Sequence, residues 1–337
     1  MNRLQKYKDS LYRFIKDKSS FIEKNNLNGQ KLEFFLLNEI KSHDMILPII
    51  LLTTLNSKNK KNNISMQCYY FACIIEFMTL YFYILENKNI IIEQFSELEY
   101  IKIYNKIIIL IYKLMENNIE SMKNTNKNIG STINVTNIIL NTMNSVSTCM
   151  TKLNNFHGFE FDVSETNCHS DVVNWYLKSD NSITNDYKEL QKVSKECIDQ
   201  YIDMKYTSIC EVSLLIGWIA GCGDIKKTNK IKEAAKAFSI IYKLSLDFKN
   251  MNNDIKCSQN VKYTKNYVLN FGLENSYELF LNNKKLFIEI MMLLDIYTNT
   301  LSEIIDNIEE NIDFIIDQTS PDIKSQCSSH SQFSMPT

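Results

Sequence analysis

Residues 64–92 read ISMQCYYFACIIEFMTLYFYILENKNIII, an apolar stretch that ends in a short polar cluster and then becomes apolar again. Only Glu76 is charged between Ile64 and Leu85, so this part is long and apolar enough to resemble a membrane span. A carboxylate near the middle of a span is costly in lipid, and the flanks continue into other amphipathic segments. The stretch therefore predicts a central helix buried inside a large helical domain.

Two polar clusters interrupt strongly apolar helical segments. The first cluster comprises Glu86, Asn87, Lys88 and Asn89. The second comprises Lys243, Asp247, Asn250 and Asp254, whose spacing of three and four residues places them on one helix face. On pattern alone, each cluster can be a solvated stretch near a helix end. The alternative is that each is the remains of a site facing an internal cavity.

The composition favours an all-α protein. Hydrophobic residues make up 45% of the 337 residues, whereas there are only 7 Gly and 3 Pro. Sheet proteins need more frequent Gly and Pro turns, so long helices joined by polar loops are expected. A net charge of −2 gives no basic excess that would indicate nucleic-acid binding. We expect one all-α domain over residues 1–317, followed by a disordered Ser-rich tail at 318–337.

Helical periodicity recurs along most of the chain, and no segment shows a sustained strand alternation. It predicts helices near 3–24, 31–41, 45–56, 65–88, 92–119, 132–152, 170–178, 186–204, 206–222, 229–251, 265–271, 273–283 and 285–316. The heavy use of Asn, Lys and Ile indicates AT-rich coding, which concerns the genome rather than the mechanism.

The cysteines are scattered without a CxxC pair, and several lie inside apolar runs. This pattern indicates buried free thiols in a reducing compartment, and we expect a cytoplasmic protein. The basic N-terminus fits an ordinary amphipathic helix, although a transit peptide for organellar import is the alternative.

Motifs for metal and nucleotide chemistry are missing from the sequence. The 4 histidines form no HxxxH or HExxH arrangement, so no zinc site is expected. No P-loop, GxGxxG or GxSxG occurs either, which leaves nucleotide-loop and hydrolase functions without support.

Three segments together resemble a known family. They are MKYTSICEVSLLIGWIAGCGD at 204–224, KEAAKAFSIIYKLSLDFKNMNND at 232–254 and KNYVLNFGLENSYELF at 265–280. Their order and spacing resemble the C-terminal half of the trans-isoprenyl diphosphate synthases, the polyprenyl synthetase family. Lys205 stands where that family begins a helix with a Lys-Thr pair, and Gly217 stands where that helix reaches a glycine.

The resemblance covers roughly residues 30–315. CIIEFMTLYFYILENKNI at 73–90 resembles the helix that carries the family's first aspartate-rich motif, with Glu76 in the place of its helix glutamate. The fold that the resemblance implies is a bundle of long antiparallel helices around a central cavity. Two Asp-Asp-x-x-Asp motifs would face each other there and hold the magnesium ions that grip an allylic diphosphate.

Both aspartate-rich motifs are degraded in this chain. The first falls on Glu86-Asn87-Lys88-Asn89-Ile90 and the second on Leu246-Asp247-Phe248-Lys249-Asn250, so each keeps one carboxylate and has gained a lysine. Neutral Asn is a poor substitute for the anionic oxygens that magnesium needs. The weak metal-site candidates that remain are Glu86, Asp247 and Asp254, with magnesium expected only if the protein is active and no cofactor otherwise.

The basic side of the implied site is also altered. Leu47 replaces the arginine of the family's Arg-Pro pair, although Pro48 is retained. The candidates for diphosphate binding by resemblance and position are Lys205, Lys243 and Lys249.

Three functions remain open at this point. The favoured one is a catalytically degenerate member of the family, a pseudoenzyme that serves as a non-catalytic partner subunit or in a structural or interaction role. The second is an active prenyltransferase or terpene-type enzyme with a reduced magnesium site. The third is a helical interaction protein that merely shares helix composition. The resemblance implies a homodimer or a heterodimer with an active prenyl synthase, and the apolar run at 104–115 would suit such an interface.

Overall fold

The computed structural model describes residues 3–18, 27–58, 65–126, 132–155, 159–179, 189–256 and 262–319. The helices are α1 (Arg3–Lys18), α2 (Leu27–Ser42), α3 (Ile46–Lys58), α4 (Ser65–Glu86), α5 (Lys88–Phe95), α6 (Glu97–Asn126), α7 (Thr132–Asn155), α8 (Ser170–Ser179), α9 (Lys195–Ile202), α10 (Ser208–Ala220), α11 (Thr228–Lys256), α12 (Tyr267–Phe271), α13 (Leu273–Leu293) and α14 (Asn299–Thr319). Two short strands, β1 (Val163–Asn167) and β2 (Gln191–Val193), form an antiparallel pair. The prediction of an all-α protein is confirmed.

The chain divides into two compact units. Unit 1 takes Met1–His157, Ser208–Glu233 and Met292–Leu301, and unit 2 takes Gly158–Thr207, Ala234–Met291 and Ser302–Thr337. The expectation of one domain over 1–317 stays a prediction. The tail predicted to be disordered lies, from residue 320 onward, outside the described residues.

Helix α4 is the core helix of unit 1, packed against α3, α6 and α10. Its Tyr69–Glu86 stretch is long and apolar enough to cross a membrane, but 78% of it is buried inside the protein. Glu76, the single charge near its middle, is 1% exposed. The prediction of a buried helix is therefore confirmed, whereas the expectation that it faces the helix at 229–251 stays a prediction.

Helix α10 packs closely on α3 in unit 1 because Gly217 has no side chain. A Cβ atom at Gly217 would lie 2.8 Å from the carbonyl oxygen of Leu51 and 3.0 Å from Cβ of Thr54. Both distances are shorter than ordinary contacts of a Cβ atom, so this glycine sets how near the two helices approach each other.

Several helix ends differ from the predicted ones. The helix predicted at 186–204 is shorter, because Gln191–Val193 pairs with β1 instead and α9 starts after the N-cap Ser194, whose hydroxyl accepts from the Cys197 amide. A strand of three residues is too short to show an alternation in sequence.

The predicted helix at 285–316 is divided between α13 and α14, where Asp295 takes a positive φ of 56°. A left-handed residue after a helix ends it. The amide of Leu301 then donates to the Thr298 hydroxyl at 3.3 Å, near the start of α14.

The cysteines follow the expectation. Among the described residues, the thiols of Cys73, Cys149, Cys168, Cys197 and Cys210 are free and buried, and Cys222 is free and exposed. The prediction of buried free thiols is confirmed for these five positions.

Candidate functional site

Two of the four residues in the polar stripe of α11, Lys243 and Asp247, are buried in unit 2, whereas Asp254 is half-buried and Asn250 is exposed. Lys243 is 2% exposed and Asp247 is 6% exposed, and the ammonium of Lys243 donates to Oδ1 of Asp247 one helical turn away. The same ammonium donates to the carbonyl oxygen of Lys265 at 3.0 Å. A buried lysine is therefore held by a carboxylate on its own helix and by the backbone of the segment that precedes α12.

Asn266 ties that segment to α11. As the N-cap of α12, its Oδ1 accepts from the amides of Val268 at 3.0 Å and Leu269 at 3.2 Å, a common role for asparagine. Its Nδ2 donates to the carbonyl oxygen of Asp247 at 2.8 Å and to Oδ2 of Asp254 at 2.7 Å. The amide of Tyr267 donates to Oδ2 of Asp247 at 2.8 Å. Both carboxylates thus serve as acceptors within the protein.

Burial dominates the electrostatics of these two acids. It raises the pKa of Asp247, although the charge and hydrogen bond of Lys243 and the amide of Tyr267 oppose the shift. Burial also raises the pKa of Asp254, against the hydrogen bond from Asn266 and the charge of Lys243. The ionised forms therefore depend on these partners to compensate for lost solvation.

A π-helix at Asp203–Thr207 carries Lys205 immediately before α10. Such π-helical turns are frequent at functional sites. The ammonium of Lys205 donates to the hydroxyl of Tyr201 at 3.2 Å and lies 4.6 Å from the centroid of the Tyr206 ring. Lys205 is thus held among aromatic rings, an arrangement that favours a cation.

Three ammonium groups surround the ring of Tyr201, and we call these residues the lysine cluster. The nitrogen–centroid distances are 5.5 Å for Lys205, 5.7 Å for Lys243 and 5.4 Å for Lys265. Asp247 compensates one of these charges directly. Three lysines around one ring give a positive potential, which can attract an anion with several charges such as a diphosphate.

Comparison with known proteins identifies the fold. A scan against protein-family models and a search of curated proteins find no match. A solved geranyltranstransferase from Thermotoga maritima matches with a TM-score of 0.59 and 12% identity, over 92% of this chain and 100% of that chain. The chain has the fold of the trans-isoprenyl diphosphate synthases.

Two further solved structures agree with this assignment. An isoprenoid synthase family member from Thermotoga neapolitana matches with a TM-score of 0.56 and 9% identity, over 92% of this chain and 98% of that chain. A heptaprenyl diphosphate synthase from Staphylococcus aureus matches with a TM-score of 0.50 and 13% identity, over 98% and 91%. At such low identity the isoprenoid synthase fold is shared, and the resemblance seen in the sequence is confirmed at the level of the fold.

Within this fold, the structure brings together Lys205 and Lys243 but places Lys249 elsewhere. Lys249 is exposed, and it lies about 200° around α11 from Asp247 at 100° per residue. The third member of the cluster is instead Lys265, which sequence reasoning missed. Its position just before the Asn266-Tyr267 pair, which carries part of the resemblance, was the available signal.

The segment that the resemblance aligned with the first motif lies in unit 1 at a break between two helices. Helix α4 ends at Glu86, which is exposed, and α5 starts at Lys88. The side chain of Asn87 donates to the carbonyl oxygen of Tyr83 at 2.8 Å, and the ammonium of Lys88 lies 5.7 Å from the Tyr100 ring centroid. The helix-end interpretation describes this geometry, and the interpretation as a degraded motif stays a prediction.

The carboxylates present in unit 2 do not fit the magnesium ions that the isoprenoid synthase resemblance implies. Both oxygens of Asp247 already accept hydrogen bonds, from Lys243 and from the Tyr267 amide, and Oδ2 of Asp254 accepts from Asn266. In the parts of the chain that the structure describes, no three His, Cys, Asp or Glu side chains are grouped to hold a metal. Magnesium needs several free anionic oxygens in a regular geometry.

Leu47, which stands where the family has the arginine of its Arg-Pro pair, lies in the core of unit 1 and is 2% exposed. Nearby, Nδ1 of His43 hydrogen-bonds Oε1 of Glu76 at 2.6 Å. Burial lowers the pKa of His43, but the hydrogen bond and charge of Glu76, helped by other nearby acids, outweigh burial and raise that pKa overall. This polar pair anchors the start of α3 to the core helix.

Proposed function

We propose that this chain is a catalytically degenerate protein of the isoprenyl diphosphate synthase type, which acts as a non-catalytic partner subunit or as an interaction protein. The observation that carries the proposal is the engagement of Asp247. The ammonium of Lys243 and the amide of Tyr267 occupy the oxygens that a magnesium ion would need. Loss of a diphosphate leaving group requires its growing negative charge to be neutralised, and bound divalent ions normally do this.

The lysine cluster supports a retained ability to bind diphosphate without metal. The ammonium groups of Lys205 and Lys265 lie 5.5 Å and 5.4 Å from the centroid of the Tyr201 ring, so both are close to one point of the surface. Charge-assisted hydrogen bonds from ammonium groups to phosphate oxygens are stronger than neutral ones. We therefore infer that a diphosphate binds at Lys205 and Lys265, near Tyr201, as a ligand rather than as a reacting group.

The test of catalysis is an incubation with isopentenyl and allylic diphosphates and magnesium, with prenyl products measured. The isolated chain is expected to give no magnesium-dependent product. Turnover that is lost in Asp247→Asn while circular dichroism shows intact folding would contradict the proposal. That result would favour the alternative function, an active prenyltransferase with a reduced magnesium site that includes Asp247 and Asp254.

The test of binding is a calorimetric titration with inorganic pyrophosphate in the presence of EDTA. Loss of one ammonium contact in Lys205→Gln is expected to weaken binding by about tenfold. Lys249 was also predicted to bind diphosphate but is exposed away from the cluster. The variant Lys249→Gln therefore tests whether Lys249 contributes to pyrophosphate binding. Equal binding by Lys205→Gln and the unmodified chain would contradict diphosphate binding at the lysine cluster.

The partner role is tested by mixing the chain with active prenyl synthases of the same cell and repeating the incubation. A non-catalytic subunit is expected to change the yield or chain length of the product without making product alone. A cytoplasmic site of action remains part of this proposal. No change with any synthase would favour the structural or interaction role over the subunit role.

A further inference from the structure

Unit 1 contains a cavity of 270 Å³ between α7 and α10, which the proposed function does not use. Ile225, just before α11, and Thr228, its first residue, also line this cavity. All of its lining residues belong to unit 1. Ligand pockets commonly range over about 300–1,000 Å³, and this cavity lies just below that range, so it suits only a small molecule.

The α7 wall of the cavity is polar and carries one uncompensated charge. Asn144, Thr148 and Lys152 follow one another at steps of four residues and all line the cavity. Among the described residues, Lys152 has no carboxylate partner, whereas Lys232, the other lysine of the lining, pairs with Oε1 of Glu211 at 2.9 Å. Lys152 is only partly exposed. The lining thus offers one ammonium next to an amide and a hydroxyl.

The α10 wall of the cavity is apolar except at its start, where Ser208 and the carboxylate of Glu211, paired with Lys232, also line the cavity. It presents Val212, Leu215 and Ile219, which lie along one face of α10 at steps of three and four. Cys149 of α7 also lines the cavity, and burial raises the pKa of its thiol, so this group is uncharged. The cavity is therefore amphipathic, with the polar groups of α7 and the Lys232–Glu211 pair on one part of its lining and the hydrocarbon of α10 on another.

We propose that this cavity binds a small amphiphilic anion, in which an anionic head group contacts Lys152 and Thr148 and a short apolar tail lies against Val212 and Leu215. The exposed residues at and after Ile225 support this assignment. Ile225 is 66% exposed, and the next residues, Lys226 and Lys227, are exposed lysines. Exposed lysines next in sequence to a lining residue raise the local concentration of anions. None of the lysine-cluster residues lines this cavity, so the proposal does not depend on the proposed function.

The experiment is a calorimetric titration of the full chain with octyl phosphate. The unmodified chain is expected to bind it saturably, and Lys152→Gln to weaken binding by about tenfold through loss of one charge-assisted contact. Lys236→Gln removes an exposed lysine of α11 outside the cavity and is expected to change nothing. Because octyl phosphate can also contact the lysine cluster, the titration is repeated with Lys205→Gln. Binding that persists there and falls in Lys152→Gln belongs to this cavity.

A second variant tests the apolar wall. Val212→Phe fills the space for the tail while Lys152 is unchanged, and it is expected to abolish octyl phosphate binding in protein whose circular dichroism is unaltered. The proposal is overturned if the unmodified chain shows no saturable binding at millimolar octyl phosphate. It is also overturned if Lys152→Gln and Val212→Phe, both folded, bind as the unmodified chain does.

The source of the anion is decided with vesicles of phosphatidylcholine, prepared with and without phosphatidic acid. Co-sedimentation that requires both phosphatidic acid and Lys152 identifies a membrane lipid as the ligand. Octyl phosphate binding without co-sedimentation identifies a soluble amphiphile. Both results support the site and differ only in where its ligand comes from.

Discussion

Lys243 is the residue on which the described network depends most. It is buried, it forms an ion pair with Asp247 and it donates to a backbone carbonyl group before α12. Breaking a buried pair by removing one partner leaves an uncompensated buried charge and costs about 3–5 kcal/mol. We therefore expect Lys243→Met to lower the free energy of unfolding by about that amount, as measured by urea denaturation.

An exposed ion pair of the same spacing provides the control for this prediction. Lys195 and Asp199 also form an i,i+4 pair at 2.8 Å in unit 2, but both side chains are exposed. Exposed pairs contribute under about 1 kcal/mol, so Lys195→Met should have little effect. The double variant Lys243→Met with Asp247→Asn should recover part of the loss, because no buried charge remains unpaired. Similar losses for Lys195→Met and Lys243→Met would show that the buried pair has no special role.

Asp254 makes stability depend on pH. Burial raises its pKa in the folded protein, so the folded state holds the proton more tightly than the unfolded state does. Between the ordinary carboxyl pKa and the raised folded value, the free energy of unfolding therefore falls as pH rises. Asp254→Asn keeps an acceptor for Asn266 but removes this titration. We expect a smaller fall in stability between about pH 4 and neutral pH in the variant than in the unmodified chain. Identical pH profiles from urea denaturation would contradict a raised pKa for this residue.

Helices α3 and α10 are held at their separation by Gly217. In an exposed helix interior, Gly→Ala usually stabilises by about 0.5–1 kcal/mol, because alanine favours the helix. Here a Cβ would meet the carbonyl oxygen of Leu51 at 2.8 Å, and backbone cannot move aside cheaply. We expect Gly217→Ala to destabilise unit 1 by about 1–3 kcal/mol, the cost of overpacking a close-packed core. Thermal melting followed by circular dichroism tests the sign, and a stabilised variant would mean that the helices do not approach so closely.

Helices were predictable where their apolar period is long, and their ends were less so. The stretch around Glu76 predicts the buried helix α4, because an almost uncharged run of this length must be buried. The break at Ser96, where φ is 107°, leaves no Gly or Pro signal in the sequence, and the predicted helix at 92–119 therefore missed the division between α5 and α6. The hydroxyl of Ser96 accepts from the Glu99 amide at 3.4 Å at the start of α6, a capping pattern that is visible only with hindsight.

For the candidate site too, the sequence predicted less than the structure shows, because the site combines segments that are distant in the chain. Helical spacing placed Lys243, Asp247 and Asp254 on one face, but it could not tell burial from solvation, since that depends on what packs over α11. Lys265 joins the cluster from a different segment, where its ammonium lies over the Tyr201 ring and its carbonyl oxygen accepts from the ammonium of Lys243. Contacts between segments far apart in sequence have no local period, so the resemblance to a family was the only guide to them.

An apolar stripe on α6 bears on the predicted assembly of the molecule. Leu98, Ile101, Ile109 and Tyr112 are exposed and fall within an arc of about 80° at 100° per residue. The opposite side of the same helix is buried in unit 1 through Ile103, Ile107, Leu110, Ile111 and Leu114. The run at 104–115 is thus apolar on both faces, as the sequence indicated. A monomer has no use for a second apolar face, whereas a dimer buries it.

We expect this stripe to mediate either a homodimer or a heterodimer with an active prenyl synthase. Ile109→Lys places a charge within the stripe, and burying an unpaired charge in an interface is unfavourable, so the variant should sediment as a monomer where the unmodified chain forms a dimer. The matched control is Phe314→Lys, which changes an equally exposed apolar residue on α14 of unit 2 and should leave the assembly intact. Sedimentation velocity at tens of micromolar, alone and with candidate synthases, measures both. If the unmodified chain is a monomer under every condition, or if the two variants behave alike, the stripe is not the interface, and the apolar face of α6 requires another explanation.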